Sequence, residues 1–565
     1  MNRSYSQKVI YQIYPKSFCD SNGDGIGDFQ GIISKLDYLA TLGIDCIWLN
    51  ACFESPQRDN GYDVSDYYKI DPDFGTMDDF ELLCIEAKTR GIDIMLDMVF
   101  NHTSTEHEWF QKAINGDKDY QNYYLFLPPN KDGSAPSNWH SKFGGSAWEF
   151  VPDLNLYYLH LFDVTQADLN WNQTSVRQEM ANIVNFWQQK GVNGFRFDVI
   201  NLISKPETFE NDDIGDGRRF YTDGPKVSEY LRELNLNSFG KNPNALTVGE
   251  MSSTTLEKCV QYANSSQDQL SMVFNFHHLK VDYANNNKWI LADLDFKLLK
   301  SILFEWQLGM QHANAWMALF WCNHDQPRVV SRFGNDKEYR KQSAKMLATT
   351  LHLMRGTPYI YQGEEIGMGN AYFDDISYYR DVESLNYFDI LKQQGRSESD
   401  ILAVLGARSR DNARTPIVWD NSLFSGFSTQ QPWIDIPNEA KFINVEANLQ
   451  DKDSIFYHYQ TLIKLRKTYP VIAEGAIKPL MFEHDSIFAY QRDWTQGQKT
   501  QTLIVLNNFF STEITVDLNE LLTQLIDFSS WKIITNNYPD LSVNDQSNTL
   551  LLQPYQSVAL LKTTD

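Results

Sequence analysis

Gly194-Phe-Arg-Phe-Asp-Val-Ile200 is the stretch from which the rest of the chain is read. Side chains of an extended strand alternate between two faces, so Arg196 and Asp198 share one face while Phe195 and Phe197 share the other. Apolar runs of similar length with polar ends recur on both sides of it. They are Ile10 to Pro15, Ile44 to Asn50, Asp93 to Asn101, Leu246 to Met251, Ser271 to Phe276, Ala318 to Asp325 and Tyr359 to Gly367, which makes eight strands in all. The connections carry helical periodicity, as in Asp78-Asp-Phe-Glu-Leu-Leu-Cys-Ile-Glu-Ala-Lys88 and Ser175-Val-Arg-Gln-Glu-Met-Ala-Asn-Ile-Val-Asn-Phe-Trp187. Strand and helix in such alternation predict an α/β fold of the (β/α)8, TIM-barrel type.

Two regions break the alternation. Residues 102–171, after the third strand, are rich in Asn, Gly, Ser and aromatics without long helical periodicity. They are expected to form a small irregular α/β subdomain inserted into the barrel and overhanging its active face. Residues 471–565 alternate short strands with turn residues, as in Asp485-Ser-Ile-Phe-Ala-Tyr490, Gln501-Thr-Leu-Ile-Val-Leu506, Glu513-Ile-Thr-Val-Asp-Leu518 and Ser557-Val-Ala-Leu-Leu561. A C-terminal antiparallel β domain of the sandwich kind is expected there, which leaves residues 1–101 and 172–470 for the barrel.

A chain of 565 residues is too long for a small disulfide-stapled scaffold, and 42% apolar with 22% charged residues indicates a globular protein. Lys plus Arg number 49 against 73 Asp plus Glu, a net charge of −24 that repels nucleic acid and anionic lipid. No apolar run approaches the roughly 20 residues of a membrane span and no hydrophobic leader opens the chain, so a cytoplasmic, non-membrane protein is expected. Cys19, Cys46, Cys52, Cys84, Cys259 and Cys322 are far apart and lack CxxC spacing. They read as reduced, buried thiols, with neither a disulfide nor zinc.

In a barrel the carboxyl ends of the strands open into the catalytic mouth. Asp198 ends the fourth strand, Glu250 ends Thr247-Val-Gly-Glu-Met251, and Asp325 ends Phe320-Trp-Cys-Asn-His-Asp325. Three carboxylates in one mouth repel one another unless one takes a proton, and an acid beside a nucleophile is glycosidase chemistry. Two other readings stay open: a structural Arg196–Asp198 ion pair, and a metal site that adds His102 and His324. A permanent cation at Arg196 opposes the metal.

Asp97-Met-Val-Phe-Asn-His102, Gly194-Phe-Arg-Phe-Asp198, Gly249-Glu-Met251 and Asn323-His-Asp325 occur in order, with Asn60-Gly-Tyr-Asp-Val64 and Ser409-Arg-Asp-Asn-Ala-Arg-Thr-Pro416. Over essentially its whole length the chain thereby resembles the oligosaccharide-cleaving α-glucosidases of the α-amylase superfamily. The resemblance implies Asp198 as covalent nucleophile, Glu250 as general acid then base, and Asp325 as transition-state stabiliser. It further implies that Asp63, His102, Arg196, His324 and Arg410 line the pocket of the cleaved sugar, with Asp63 and Arg410 closing its far end to make the enzyme exo-acting. One segment departs from the family: Asn50-Ala-Cys-Phe53 stands where relatives read Thr-Pro and then an aromatic, so the pocket rim near Phe53 is expected to differ.

Asp20-Ser-Asn-Gly-Asp-Gly-Ile-Gly-Asp28 presents oxygen groups at alternate positions, like half an EF-hand loop, although an Asx-rich turn reads equally well from the residues alone. The family resemblance implies a structural divalent ion here, Ca2+, held by Asp20, Asn22, Asp24, Asp28 and the Ile26 carbonyl. Within the family, Gly215-Asp-Gly-Arg-Arg-Phe-Tyr-Thr-Asp-Gly-Pro225, Glu250-Met-Ser-Ser-Thr-Thr255 and Phe276-His-His-Leu-Lys-Val-Asp-Tyr283 look most like members that hydrolyse trehalose 6-phosphate. Lys280 and Lys288 follow the sixth strand at the catalytic face, where they would meet the phosphate of a small phosphorylated disaccharide. The alternatives are an oligo-1,6-glucosidase acting on neutral isomalto-oligosaccharides, and a non-catalytic barrel that serves as a binding subunit. A monomer without an organic cofactor is expected.

Overall fold

The computed structural model describes residues 5–518, 530–544 and 548–564. Eight parallel strands line up as predicted: β1 (Ile10–Ile13), β2 (Cys46–Leu49), β3 (Asp93–Met98), β4 (Gly194–Phe197), β5 (Leu246–Glu250), β6 (Met272–Phe274), β7 (Ala318–Leu319) and β8 (Thr357–Tyr361). Their spatial order is β6-β5-β4-β3-β2-β1-β8-β7, and a parallel bridge between Val273 and Met317 closes the ring between β6 and β7. Both faces of these strands are buried, which explains why they read as continuous apolar runs. The helix Thr174–Gln189 turns Val176, Met180, Ile183, Val184 and Trp187 onto the barrel, and the helix Met77–Thr89 starts at a reciprocal Thr76–Asp79 capping box.

After β3, Gln166–Asp168 pairs antiparallel with His102–Ser104, and a three-stranded sheet forms from Phe126–Leu127, Leu156–Leu159 and Trp148–Val151. This inserted region reaches the barrel mouth through Phe143, whose ring lies 5.2 Å from the Arg410 guanidinium. At the other end of the chain, a five-stranded antiparallel sheet (Ala476–Leu480, Ile487–Gln496, Lys499–Asn508, Ser557–Thr564, Lys532–Asn536) and a three-stranded one share a core of Ile487, Leu506, Val516, Leu550 and Leu560. Lys300, on the helix Phe296–His312, donates to the carbonyls of Met481, His484 and Ile487 and ties that domain to the barrel.

One further unit was not distinguished in the sequence. Between β8 and the helix Ile455–Thr468 the chain forms a helix pair, Val382–Gln393 and Glu398–Arg408, with its own small core of Tyr379, Phe388, Leu391, Ile401 and Leu405. It carries Asp381, Glu383 and Arg408 to the edge of the mouth. All six cysteines are buried and unpaired, and among the described residues no helix is long and apolar enough to cross a membrane.

Candidate active site

Arg196 stands at the centre. Alternation along β4 turns it into the lumen with 1% of its surface exposed, beneath the indole of Trp48 at 5.0 Å. One Nη lies 2.6 Å from both Asp97 Oδ1 and Asp198 Oδ1, and the other touches Glu250. The strand ends of β3, β4 and β5 are thus stitched together by one guanidinium, and Asp198 continues the ladder through its N–H to the Met98 carbonyl at 3.0 Å. Burial pushes the Asp97 carboxyl up to about 6 against the pull of Arg196, so Asp97 is the buried back of the cluster. Asp198 and Glu250, each 8% exposed, face a cavity of about 290 Å³.

Asp325 enters from the β7 side. Its Oδ1 accepts from Arg410 Nη1 at 3.2 Å and Arg414 Nη2 at 2.9 Å, and its Oδ2 lies 3.2 Å from His324 Nε2. Burial alone would raise this carboxyl, but His324, Arg410, Arg414 and Arg196 hold it well below the ordinary carboxylate range. Asp325 is ionised at any working pH. His324 is neutral: burial, with Arg196 and Arg414 beside it, drives it down to about 3 against the opposing pull of Asp325. The ring is fixed by Gln12 Nε2 at its Nδ1 (2.9 Å) and by Tyr62, stacked at 5.2 Å and 8°. Asn50 accepts from Gln12 at 2.9 Å and donates to the Tyr62 hydroxyl at 2.7 Å. The departure at Asn50-Ala-Cys-Phe53 therefore props an aromatic platform from below. Phe53 itself is not on the rim, because it stacks on Trp187 in the core at 5.1 Å.

Asp63 corrects the sequence reading. It is fully buried, and its carboxylate accepts from the backbone N–H groups of Arg58 and Asp59 and from Ser55 Oγ, each at 3.0 Å. Those donors consume it in folding the turn. The acid that reaches the pocket is Asp59, 3.3 Å from Arg410 Nη2, and burial pushes it up to about 7 even beside Arg410 and Arg414. Two acids flank Asn60-Gly61-Tyr62, and only the turn decides which one faces the mouth. Arg410 is held in turn by Asp381 at 2.5 Å, a residue that carried no sequence signal.

His102 lies at the opposite wall with Nδ1 accepting from Asn101 at 3.2 Å, so its Nε2–H points to the Tyr62 carbonyl at 3.1 Å. Behind it a buried Lys205 Nζ bridges Asp168 at 2.6 Å and Asn101 at 2.5 Å. On the outer wall, Lys280 lines the cavity as expected. Lys288 lines it too, but its ammonium is bound to Glu383 at 2.5 Å. A third lysine went unnoticed in the irregular inserted region: Lys142 lines the same wall and donates to Ser252 Oγ at 2.7 Å. Burial, then the neighbouring Arg218 and Lys280, push Lys142 down to about 7, and burial and Arg218 lower Lys280. Arg218 comes from the Gly215–Pro225 motif, held there by Gly217 (φ +91°), whose missing Cβ would strike the ring of Trp139.

In the Asp20–Asp28 loop, Asp20 accepts from the N–H groups of Asn22, Gly23 and Gly25 (3.0, 2.7 and 2.8 Å) and from Ser428 Oγ (2.5 Å). The Asp24 carboxylate adjoins Asn22 Nδ2 at 3.0 Å, and Asp28 caps the helix Phe29–Ser34 through the Gly31 N–H at 2.6 Å. Among the described residues no three Asp, Glu, His or Cys side chains gather as a metal cluster.

Residues 12–475 match the family described as "Alpha amylase, catalytic domain". The chain belongs to the α-amylase family of glycoside hydrolases. Among α-amylase-family relatives it is 51% identical to a trehalose-6-phosphate hydrolase of Bacillus subtilis, over 98% of this chain and 97% of that protein. It is 45% identical to an oligo-1,6-glucosidase of Bacillus cereus, over 98% of each. The crystal structure of a trehalose-6-phosphate hydrolase from Bacillus licheniformis superposes with a TM-score of 0.94 at 50% identity, covering both chains completely.

Proposed function

We propose that the protein hydrolyses trehalose 6-phosphate to glucose and glucose 6-phosphate as a retaining, exo-acting α-glycosidase. The observation that carries this reading is the outer wall of the pocket, where Lys142 and Lys280 gather beyond Glu250 in a chain of net charge −24. A neutral aglycone has no use for them, whereas a phosphate accepts charge-assisted hydrogen bonds from both. The inner end is closed by the Asp59–Arg410 pair, which admits a single terminal glucose.

Asp198 and Glu250 share the two Nη atoms of one guanidinium. Carboxyl groups so bridged are close together, as the about 5–5.5 Å of a retaining pair requires, rather than the about 6.5–9.5 Å of an inverting one. Asp198 attacks C1 of the bound glucose, and Glu250 gives its proton to the glycosidic oxygen as glucose 6-phosphate leaves. Glu250 then takes a proton from water, whose oxygen attacks C1 and releases Asp198, so the product is the α-anomer. Asp325, held ionised by Arg410 and Arg414, grips the ring hydroxyls and opposes the positive charge that builds at C1.

The loop 20–28 offers an oxygen-only donor set, which suits a hard cation, and Asp24 has lone pairs to spare, since its two carboxylate oxygens each accept a single bond, from the Ile26 N–H at 2.8 Å and from Asn22 Nδ2 at 3.0 Å. Ca2+ there would be structural, joining Asp20 and its neighbours to the Phe427–Trp433 segment that already bonds the loop.

The test is a substrate panel on purified protein with the product anomer followed by NMR. Trehalose 6-phosphate should exceed isomaltose in kcat/KM by about a hundredfold, the worth of one to two charge-assisted bonds, and α-glucose should appear first. Equal or faster isomaltose hydrolysis would replace this reading by the 1,6-glucosidase.

A further inference from the structure

Much of the outer wall of the cavity comes from one short segment, Phe276 to Tyr283, folded as a 3-10 turn over His277–Leu279 and presenting Phe276, Leu279, Lys280 and Tyr283 to the pocket. It belongs to none of the sheets, and its backbone is tied by an isolated antiparallel bridge between Tyr283 and Leu291 and by the Asp295 N–H on the Val281 carbonyl at 3.0 Å. His278 Nε2 adds a bond to the Phe320 carbonyl at 2.9 Å, and the charged anchor of the segment is Asp282, which points away from the pocket. Asp282 is 4% exposed and receives Arg332 as a two-pronged pair, Nε to Oδ2 at 2.9 Å and Nη2 to Oδ1 at 2.8 Å. Arg408 joins from the helix pair after β8, with Nη1 on the Asp282 carboxylate and Nη2 on its carbonyl at 2.7 Å. Arg332 also bonds the Leu279 carbonyl and the Gln326 side chain, the latter one residue beyond Asp325. Both guanidinium groups lie over the ring of Tyr283, at 5.5 and 5.4 Å.

We infer that Asp282, held between Arg332 and Arg408, is a positioning residue that fixes Lys280 and Tyr283 on the pocket wall and so sets the preference for an anionic over a neutral aglycone. Two arginines on one carboxylate are more than a turn needs for stability, and the pair leaves one net positive charge buried directly behind Tyr283. The clamp draws on three separate segments, those following β6, β7 and β8, so the wall stays in register with Asp325 and Arg410. A planar two-pronged pair fixes orientation as well as distance, which a lysine in place of Arg408 cannot reproduce. The inference rests on the reading that Lys280 meets the substrate's phosphate.

The experiment is a double-mutant cycle between Asp282→Asn and Lys280→Ala, with kcat and KM measured on trehalose 6-phosphate and on nitrophenyl α-glucoside. Asp282→Asn should raise KM for the phosphorylated substrate about tenfold, leave its kcat within about twofold, and hardly change the aryl glucoside. In the Lys280→Ala background the same change should add little to the loss of preference, because the cation it positions is gone and Tyr283, which remains, carries no charge to offer the phosphate. Arg408→Lys, which keeps a charge and folds more readily, should reproduce half or more of the selectivity loss, and Asp282→Glu should restore part of it. Equal losses on both substrates, or full additivity with Lys280→Ala, would show a merely structural clamp and overturn the inference. If Lys280→Ala alone leaves the preference for trehalose 6-phosphate unchanged, the phosphate assignment fails and takes the inference with it. An Asp282→Asn effect that fails to appear while Lys280→Ala shows its own overturns the inference alone.

Discussion

If Lys142 meets the substrate's phosphate as proposed, its ammonium should make phosphate recognition pH-dependent in a way that the chemistry of bond cleavage is not. Burial and the cations of Arg218 and Lys280 push it down to about 7, so in the free enzyme it is charged below that pH and neutral above it. A phosphate monoester, with a second pKa near 6, is mostly dianionic from about pH 6.5 upward. A charge-assisted bond between them contributes about 1.5 to 3 kcal/mol, which by linkage raises the lysine's pKa by about one to two units in the complex. The sign follows: a cation stabilised by substrate favours binding at low pH and loses that advantage as pH climbs through the free-enzyme value. KM for trehalose 6-phosphate should therefore be nearly flat from about pH 6.5 to 7 and rise some ten- to hundredfold between about pH 7 and 9. Nitrophenyl α-glucoside, which carries no phosphate, should show no such rise. Lys142→Met should abolish the slope, giving at pH 6.5 the weak KM that the unaltered enzyme shows at pH 9. Parallel pH profiles for the two substrates, or a slope that survives in Lys142→Met, would refute the assignment.

Asp198→Asn should abolish turnover of every substrate, whereas Glu250→Gln should spare the first step for leaving groups that need no proton, read as a burst of nitrophenolate in rapid-quench assays. Glu364 is buried against Tyr459 (2.7 Å) and Cys322, and burial raises its carboxyl to about 7. A folded-state pKa above the unfolded one gives stability that is complete at low pH and lost as pH rises through 7. Glu364→Gln should consequently gain on the unaltered protein by up to about 3 kcal/mol between pH 5 and 8 in urea titrations. Removing divalent ions with chelator should lower the melting temperature by several degrees, restored by Ca2+, while kcat/KM of the surviving folded enzyme stays unchanged.

The barrel was legible because a parallel strand buried on both faces has no choice but to be apolar along its length, and its polar residues collect where the chain leaves the sheet. Asp198, Glu250 and Asp325 could be placed for that reason alone. Asp59 and Asp63 could not be told apart, because they flank a turn and which acid faces the cavity depends on where the N–H donors of that turn fall. Lys142 and Asp381 were invisible for a different reason. Each lies in an irregular segment with no period to assign it a face, and each reaches the site only because the inserted region and the β8 helix pair fold back over the mouth. Lys288 shows the opposite error, since its position was right but its partner, Glu383, comes from a helix 95 residues away.

The charges of the site also explain how an enzyme can pack so many acids into one mouth. Asp59, Asp97, Asp198, Glu250, Asp325 and Asp381 face only Arg196, Arg410 and Arg414 as buried permanent cations. The surplus negative charge is not spread evenly. Asp325 and Asp381, each between two guanidinium groups, are driven below the ordinary range, while Asp59 and Asp97 are raised to about 7 and about 6 by burial. The arginines thus secure the acid that must stay charged, and the acids most starved of solvent take protons instead. Replacing Asp97 by Asn would test that logic, since it removes an acid that is half-protonated near pH 6 and should narrow the acid limb of the kcat/KM profile rather than abolish activity.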